Sequence, residues 1–137
     1  MQRPETKARA RALQLLYAWD VSGAPPLARV VARLVAAYHP PPDSLQRAAD
    51  LAARAVDGCA AFDARVAEAA EHWRLERVGI VERNILRLAL AELAEGATPP
   101  KVVIDEAVKL AHWFAGAKAP QFVNGILDRL ARESGRL

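Results

Sequence analysis

One segment of the chain, residues 80–93, limits the fold more than any other because it is apolar on almost every face of a helix. Its apolar side chains are those of Ile80, Val81, Ile85, Leu86, Leu88, Leu90 and Leu93. A helix that is apolar all round is stable only where other elements surround it. The segment therefore predicts a central helix inside a bundle.

Other segments have the one-sided apolar pattern of helices that could surround it. Residues 4–20 and 27–38 carry apolar stripes at helical spacing, and residues 99–114 and 120–133 repeat the pattern. In the first two segments, the positions predicted to face inward are Ala8, Ala12, Leu15, Leu16, Trp19, Leu27, Val30, Val31, Leu34 and Val35.

Small polar residues and prolines predict where some of these helices begin. Asp43 or Ser44 is expected to cap the helix that follows the Pro-rich loop. Thr98 is expected to cap a later helix whose first residue is Pro99, since the missing N–H of proline costs little at that position.

The chain is expected to fold as two halves. Residues 45–73 are helical in pattern, and the sequence leaves open whether Gly58 breaks this helix or only bends it. The weakest pattern lies at residues 74–79. We therefore predict one helical bundle over residues 1–75, with the basic first helix, and a second over residues 76–137.

Composition supports an all-α fold. Aromatic residues make up only 6% of the chain, β-branched residues are sparse, and the one hairpin-type dipeptide, Asn124-Gly125, lies inside a helical pattern.

The single cysteine, Cys59, excludes an intrachain disulfide framework. With no signal peptide and no run of 18 apolar residues, the expectation is a cytoplasmic protein with no membrane contact.

Catalytic chemistry is not indicated. His39, His72 and His112 do not have metal-ligand spacing, and the acidic residues are scattered. The phosphate-binding glycine motifs and the nucleophile motif G-x-S-x-G do not occur. We expect a protein that is not an enzyme and that needs no metal or cofactor.

The first helix has a basic face that suits a polyanion. The residues that align opposite the apolar stripe are Arg3, Lys7, Arg11 and Gln14. A neighbouring row, expected to be exposed, consists of Arg9, Leu13 and Tyr17. Guanidinium groups can hold RNA phosphates, and a phenol ring can stack on an unpaired base. The alternatives are a merely solvated basic face and a Tyr17 that only borders the core.

Two later features have similar alternatives. A side row on the last helix, off its main apolar stripe, consists of Phe122, Gly125 and Arg129. The glycine suggests close approach by a neighbouring helix or a ligand, and we favour a helix. Glu82 lies in the first turn of the central helix, where an acid complements the helix dipole.

Three stretches carry a resemblance to a known family. They are "ARARALQLLYAWD" near the start, "VERNILRLALAEL" in the middle, and "TPPKVVIDEAVKLAHWFAGAKAPQFVNGILDRLAR" towards the end. In order and spacing they resemble the NusB family of bacterial transcription antitermination factors. Residues 20–75 match this family in helical pattern more than in identity. The resemblance implies an all-α fold of two packed bundles, three helices followed by about four.

The resemblance also implies a function. NusB-like proteins pair with NusE, a small-subunit ribosomal protein, and the pair binds the single-stranded boxA element of nascent ribosomal transcripts. The pair nucleates an antitermination complex on RNA polymerase. Arg9 matches the family's basic motif and Tyr17 its aromatic, while Glu82, Phe114 and Phe122 match positions that line the RNA surface.

This chain departs from the family pattern at two places. Glu5 and Thr6 interrupt the basic start, and Lys118 stands in a loop that often carries acids in the family. We expect Lys118 to face the RNA and to offset part of the thinner basic motif. The complete predicted RNA-binding set is Lys7, Arg9, Arg11, Gln14, Tyr17, Glu82, Phe114, Lys118, Phe122 and Arg129.

Two other functions stay open from the sequence. NusB-like domains also precede ribosomal RNA cytosine methyltransferases, but this chain ends at Leu137 without a methyltransferase domain, so that function would require a truncated chain. The other is a helical protein-interaction module without an RNA role. Self-association as a homodimer through the RNA surface also fits the family, and the residues that meet NusE are not identified.

Overall fold

The computed structural model describes residues 3–70 and 78–136, and these residues form seven α-helices and no strand. The helices are α1 (Pro4–Val21), α2 (Leu27–Tyr38), α3 (Pro42–Asp57), α4 (Cys59–Ala69), α5 (Ile80–Glu95), α6 (Pro100–Phe114) and α7 (Ala119–Glu133). The all-α prediction is confirmed. Within the same ranges, no helix is long and apolar enough to cross a membrane.

The long helical pattern of residues 45–73 is broken at Gly58. Helix α3 ends at Asp57 and α4 begins at Cys59. A Cβ atom at Gly58 would lie only 2.5 Å from two ring carbons of Phe62, so the absence of a side chain lets the ring pack on the backbone there. Residues 71–77, which include most of the predicted boundary between the two halves, lie outside the described residues, and the division stays a prediction.

The predicted N-cap residues, Asp43 or Ser44 for α3 and Thr98 for α6, are wrong for the same reason. Each helix begins at the last proline of a proline run, Pro42 after Pro40 and Pro41, and Pro100 after Pro99, and neither has a side-chain cap. A residue before proline is pushed out of the helical region, and Pro41 and Pro99 are extended, with ψ values of 134° and 139°.

Helix α5 is the central helix that its sequence predicts. From Asn84 to Leu93 every residue is buried, and α5 packs against α1, α3, α4, α6 and α7. Two of the expected inward residues of this segment lie in the first turn at the rim and are not fully buried: Val81 is half-buried and Ile80 is 37% exposed. Val35 of α2, also expected to face inward, is likewise exposed at the surface.

A buried ionic group, which we call the Arg9 cluster, ties α1 to α5 and α6. The Arg9 guanidinium donates from Nη2 and Nε to the two oxygens of Glu92, at 2.7 and 2.8 Å, and from Nη1 to Glu106 at 3.1 Å. The Thr6 hydroxyl donates to the same Glu106 oxygen at 2.6 Å. Because these four side chains are all buried, they fix the position of α1.

The Arg9 cluster corrects one expectation. Arg9 was expected on an exposed row with Leu13 and Tyr17, but Arg9 is 8% and Leu13 4% exposed, and only Tyr17 reaches the surface. The physical reason is that Arg9 has two carboxylates as partners, which lets a cation be buried.

Hydrogen bonding sets the ionisation of this cluster. The hydrogen bond to Glu92 raises the pKa of Arg9 above its ordinary value, against the effect of burial. Burial alone would raise the pKa of Glu106, but the hydrogen bond from Thr6 and the charges of Lys109 and Arg9 outweigh it, so this pKa is lowered. The second Glu106 oxygen has no hydrogen bond, and Lys109 Nζ lies 3.4 Å from it.

A second group, the Asp20 cluster, joins the end of α1 to α4 and α5. Asp20 Oδ2 accepts hydrogen bonds from Arg83 at 2.7 Å, Asn84 at 3.0 Å and Arg87 at 3.1 Å. Arg87 also donates from two nitrogens to Asp63 of α4. Although burial works in the opposite direction, the hydrogen bonds from Arg83 and Asn84 lower the pKa of Asp20 below its ordinary value.

The expected reason for Gly125 in α7 is wrong. A Cβ atom built at Gly125 would meet nothing within 4 Å, so no neighbouring helix of the described chain approaches it. The glycine lies on the exposed side of α7, and the packing of the chain itself does not account for it.

Acid should destabilise the fold through Asp20 and Glu106. Both carboxyls have a lowered pKa in the folded chain, against ordinary values of about 4 in the unfolded chain. Such groups contribute stability above the unfolded-state pKa and lose it as the pH falls through the folded-state pKa. We expect the free energy of unfolding, measured in urea, to decline below about pH 4. The Asp20→Asn variant should have a lower free energy of unfolding at neutral pH, and this free energy should decline less steeply as the pH falls. Parallel pH curves for the variant and the unmodified protein would contradict the role assigned to Asp20.

Removing Arg9 should destabilise the protein strongly. Arg9→Ala leaves Glu92 and Glu106 buried without their shared cation, and breaking a buried pair in this way costs about 3–5 kcal/mol. Urea denaturation measures the loss. The matched control is Arg11→Ala on the same helix, whose hydrogen bond is exposed, and which should change stability by no more than about 0.5 kcal/mol. Equal, small effects of both substitutions would show that the cluster does not hold the fold.

Candidate nucleic-acid interface

A groove of 670 Å³ runs beside α1 and brings several of the predicted residues together. We call it the α1–α6 groove. Its walls come from α1, from the loop before α3, and from the ends of α3, α5 and α6 that meet there. The lining residues are Lys7, Ala10, Arg11, Leu13, Gln14, Tyr17, Pro41, Ser44, Val81 and Phe114.

The charged residues that line this groove in the described part of the chain are two cations. Lys7 and Arg11 are one helical turn apart on α1 and line the same wall, and among residues 3–70 and 78–136 no acidic residue lines the groove. Arg11 Nη1 donates a hydrogen bond to the side-chain oxygen of Gln14 at 2.7 Å, which orients both polar groups along the exposed face of α1. The wall is therefore suited to an anionic ligand.

Two exposed aromatic rings complete the groove. Tyr17 of α1 is 43% exposed and Phe114, the last residue of α6, is 52% exposed. Trp113 meets Phe114 edge to face, with ring centroids 6.3 Å apart. Rings beside cations can bind single-stranded nucleic acid, since cations attract phosphates and ring faces stack on unpaired bases.

Two residues of the predicted RNA-binding set lie in the core. Arg9 is held in the Arg9 cluster, and Phe122 is only 7% exposed. Phe122 packs with Val123 on the buried side of α7, so its expected position off the main apolar stripe is wrong. Neither side chain offers a surface to a ligand in this structure.

Glu82 and Arg129 hold the ends of helices. The Glu82 carboxylate accepts a hydrogen bond from the Gly79 N–H at 2.9 Å and so closes the first turn of α5. Arg129 donates to the Ala69 carbonyl at 2.9 Å and to Glu133 at 2.9 Å, which links α7 to the end of α4. These contacts support the structural interpretation of Glu82, while RNA contact by either residue stays a prediction.

Lys118 occupies the loop between α6 and α7. It is the N-cap residue of α7 and is exposed. Within residues 3–70 and 78–136, no acidic side chain forms an ion pair with it. Its side chain is therefore available to an anionic partner near the C-terminal end of α6.

Sequence reasoning missed part of the groove wall. Pro41, Ser44 and Val81 come from distant parts of the chain and carry no distinctive chemistry, so no motif could have identified them. In the described part of the chain, no three His, Cys, Asp or Glu side chains are grouped so that they could hold a metal ion.

Comparisons with known proteins agree over nearly the whole chain. The NusB family model matches residues 6–132. The transcription antitermination protein NusB of Solibacter usitatus is 43% identical over 128 residues, which cover 93% of this chain and 88% of that protein. The protein of the same name from Sorangium cellulosum is 37% identical, over 94% of this chain and 92% of its own.

Solved structures share the fold. NusB of T. maritima superposes with a TM-score of 0.83 at 28% identity, covering 97% of this chain and 94% of that one. The chain also matches a structure of the antitermination factors NusB and NusE in complex with double-stranded RNA, with a TM-score of 0.81, 30% identity, and 97% and 99% coverage. On its sequence and its all-α fold alike, this chain belongs to the NusB family.

Proposed function

We propose that this chain is a transcription antitermination factor that binds single-stranded boxA-type RNA of nascent ribosomal transcripts together with NusE. In this role it acts in the cytoplasm and helps to assemble an antitermination complex on RNA polymerase. The observation that carries the proposal is the α1–α6 groove, where cations and exposed rings meet and none of the described lining residues is acidic. The name of the relatives and the NusB–NusE–RNA structure support it.

Single-stranded RNA fits this groove better than a duplex. The related structure holds double-stranded RNA, but paired bases are stacked on one another and their faces are closed to protein rings. Tyr17 and Phe114 are both exposed in the groove. Rings in such a position are useful for unpaired bases, which can be splayed out and stacked.

Each part of the groove has a task in this function. Lys7 and Arg11 hold phosphates, Gln14 hydrogen-bonds the strand, and Tyr17 and Phe114 stack on bases. Arg9 contributes from inside the fold, because it fixes the helix on which these groups stand. None of these tasks breaks or forms a covalent bond, so the proposed function is not enzymatic.

Self-association is the second candidate for the same groove. Its lining is mostly apolar apart from a few polar groups, and Trp113 and Phe114 beside it are exposed. A symmetric dimer through this surface would bring Lys7 and Arg11 of both copies to one interface. Because like charges oppose such contact, RNA is the better occupant, and a homodimer would compete with RNA binding.

RNA affinity should depend on the ring of Tyr17. We expect a fluorescently labelled boxA-type RNA to bind the protein more tightly than a scrambled RNA or a duplex, and NusE to increase the affinity. Tyr17→Ala should weaken binding by about 1–3 kcal/mol, the usual contribution of one stacked base. Tyr17→Phe is the matched control, since it keeps the ring, and fluorescence anisotropy over a salt series gives the affinities.

The same titrations separate the alternatives. Equal, weak binding of all RNAs, unchanged by NusE, would leave a helical interaction module. Binding that never responds to NusE would favour an RNA-binding domain of methyltransferase type. Self-association would be favoured if sedimentation shows dimers of the protein and if the apparent affinity for RNA falls at protein concentrations where these dimers form.

Lys118 should contribute one phosphate contact. Lys118→Glu is expected to lower the affinity for boxA-type RNA and to reduce the slope of log affinity against log salt by about 0.7, the increment for one contact in a single strand. Lys101, exposed in the first turn of α6, provides a charge-matched control as Lys101→Glu. Unchanged affinity and slope in Lys118→Glu would remove Lys118 from the interface.

A further inference from the structure

A second groove lies on the other side of α1, against α2. We call it the α1–α2 groove; it has a volume of 240 Å³ and lies where the partly apolar face of α2 meets α1. Its polar and aromatic lining residues are Gln14 and Ser22 of the α1 side and Arg33 and Tyr38 of α2. Tyr38 is the most exposed large apolar or aromatic side chain of the described residues, at 63%.

The α1–α2 groove has the same charge sign as the α1–α6 groove. Among its described lining residues Arg33 is the charged one, and α2 carries Arg29 and Arg33 but no acidic residue. The Ser22 hydroxyl is already used, since it donates to the Ala18 carbonyl at 2.6 Å. An exposed ring beside a cation thus occurs a second time on this surface.

The two grooves meet at Gln14, which lines both of them. Only the width of α1 separates them, about 10–12 Å with side chains. About three stacked nucleotides at about 3.4 Å each span that distance. A single strand can therefore cross α1 over Gln14 and reach both grooves.

We propose that the α1–α2 groove is a second RNA subsite, which binds the same single strand beyond the segment held in the α1–α6 groove. Arg33 holds a phosphate there and Tyr38 stacks on an unpaired base. This inference rests on the proposed RNA-binding function. The chemical argument is the pairing of cation and ring and the continuity of the surface through Gln14.

The test compares a boxA-type core RNA with the same RNA extended by about four nucleotides at each end, a length sufficient to cross α1. The unmodified protein should bind the extended RNA more tightly. Tyr38→Ala should weaken binding of the extended RNA by about 5- to 150-fold, the effect of one lost stacked base, and leave binding of the core RNA unchanged. Tyr38→Phe keeps the ring and should behave like the unmodified protein.

Arginine variants test the groove itself. Arg33→Ala should lower the salt slope for the extended RNA by about 0.7. Arg29→Ala is the matched control, because Arg29 is exposed on the same helix, one turn earlier, but does not line the groove. Equal losses in both variants would mean that only the general charge of α2 matters, and the subsite would be overturned.

The outcomes also separate this inference from the function on which it rests. If Tyr17→Ala weakens the core RNA while Tyr38→Ala leaves the extended RNA unchanged, the subsite is wrong and the RNA function stands. If neither RNA binds, both are wrong. If Tyr38→Ala instead weakens only the binding of NusE, the groove holds a protein segment and the RNA subsite is overturned.

Discussion

The contact between Arg9 and the carboxylates of Glu92 and Glu106 positions the surface on which the proposed function depends. Arg9 forms two parallel hydrogen bonds to Glu92 and a third to Glu106, all inside the bundle. Bidentate pairs of this kind fix orientation as well as distance. Helix α1 is thereby held against α5 and α6 with one rotation about its axis, and that rotation decides which of its residues meet solvent.

The basic residues of α1 consequently divide into two groups. Arg9 faces inward, where Glu92 and Glu106 compensate for its lost hydration, whereas Lys7 and Arg11 face the α1–α6 groove, whose described lining contains no acid. The same rotation turns Tyr17 outward while Leu13, one turn before it, is buried. A single buried ionic cluster thus links the stability of the fold to the composition of the proposed RNA surface.

Local pattern was sufficient to predict most of the helices. The predicted bounds of α2 agree with the structure, and those of α1 and α7 differ from it by one residue. The mostly apolar segment of residues 80–93 lies in the central helix α5. These predictions succeed because the helical period and the residues that end a helix are local properties of the chain. The caps of α3 and α6 were missed because the runs of consecutive prolines override the nearby polar residues, and proline geometry, not side-chain hydrogen bonding, starts these helices.

The sequence by itself determined the approximate number of helices, the family, and the presence of cations and aromatic rings suited to RNA. Only the tertiary structure decided which of these groups are accessible: Arg9 and Phe122 are buried, while Tyr38 is exposed beside a groove that no pattern indicated. The physical reason is that burial of a charged or aromatic side chain depends on its partners. The partners of Arg9 lie on α5 and α6, far away in the chain and adjacent only in the fold.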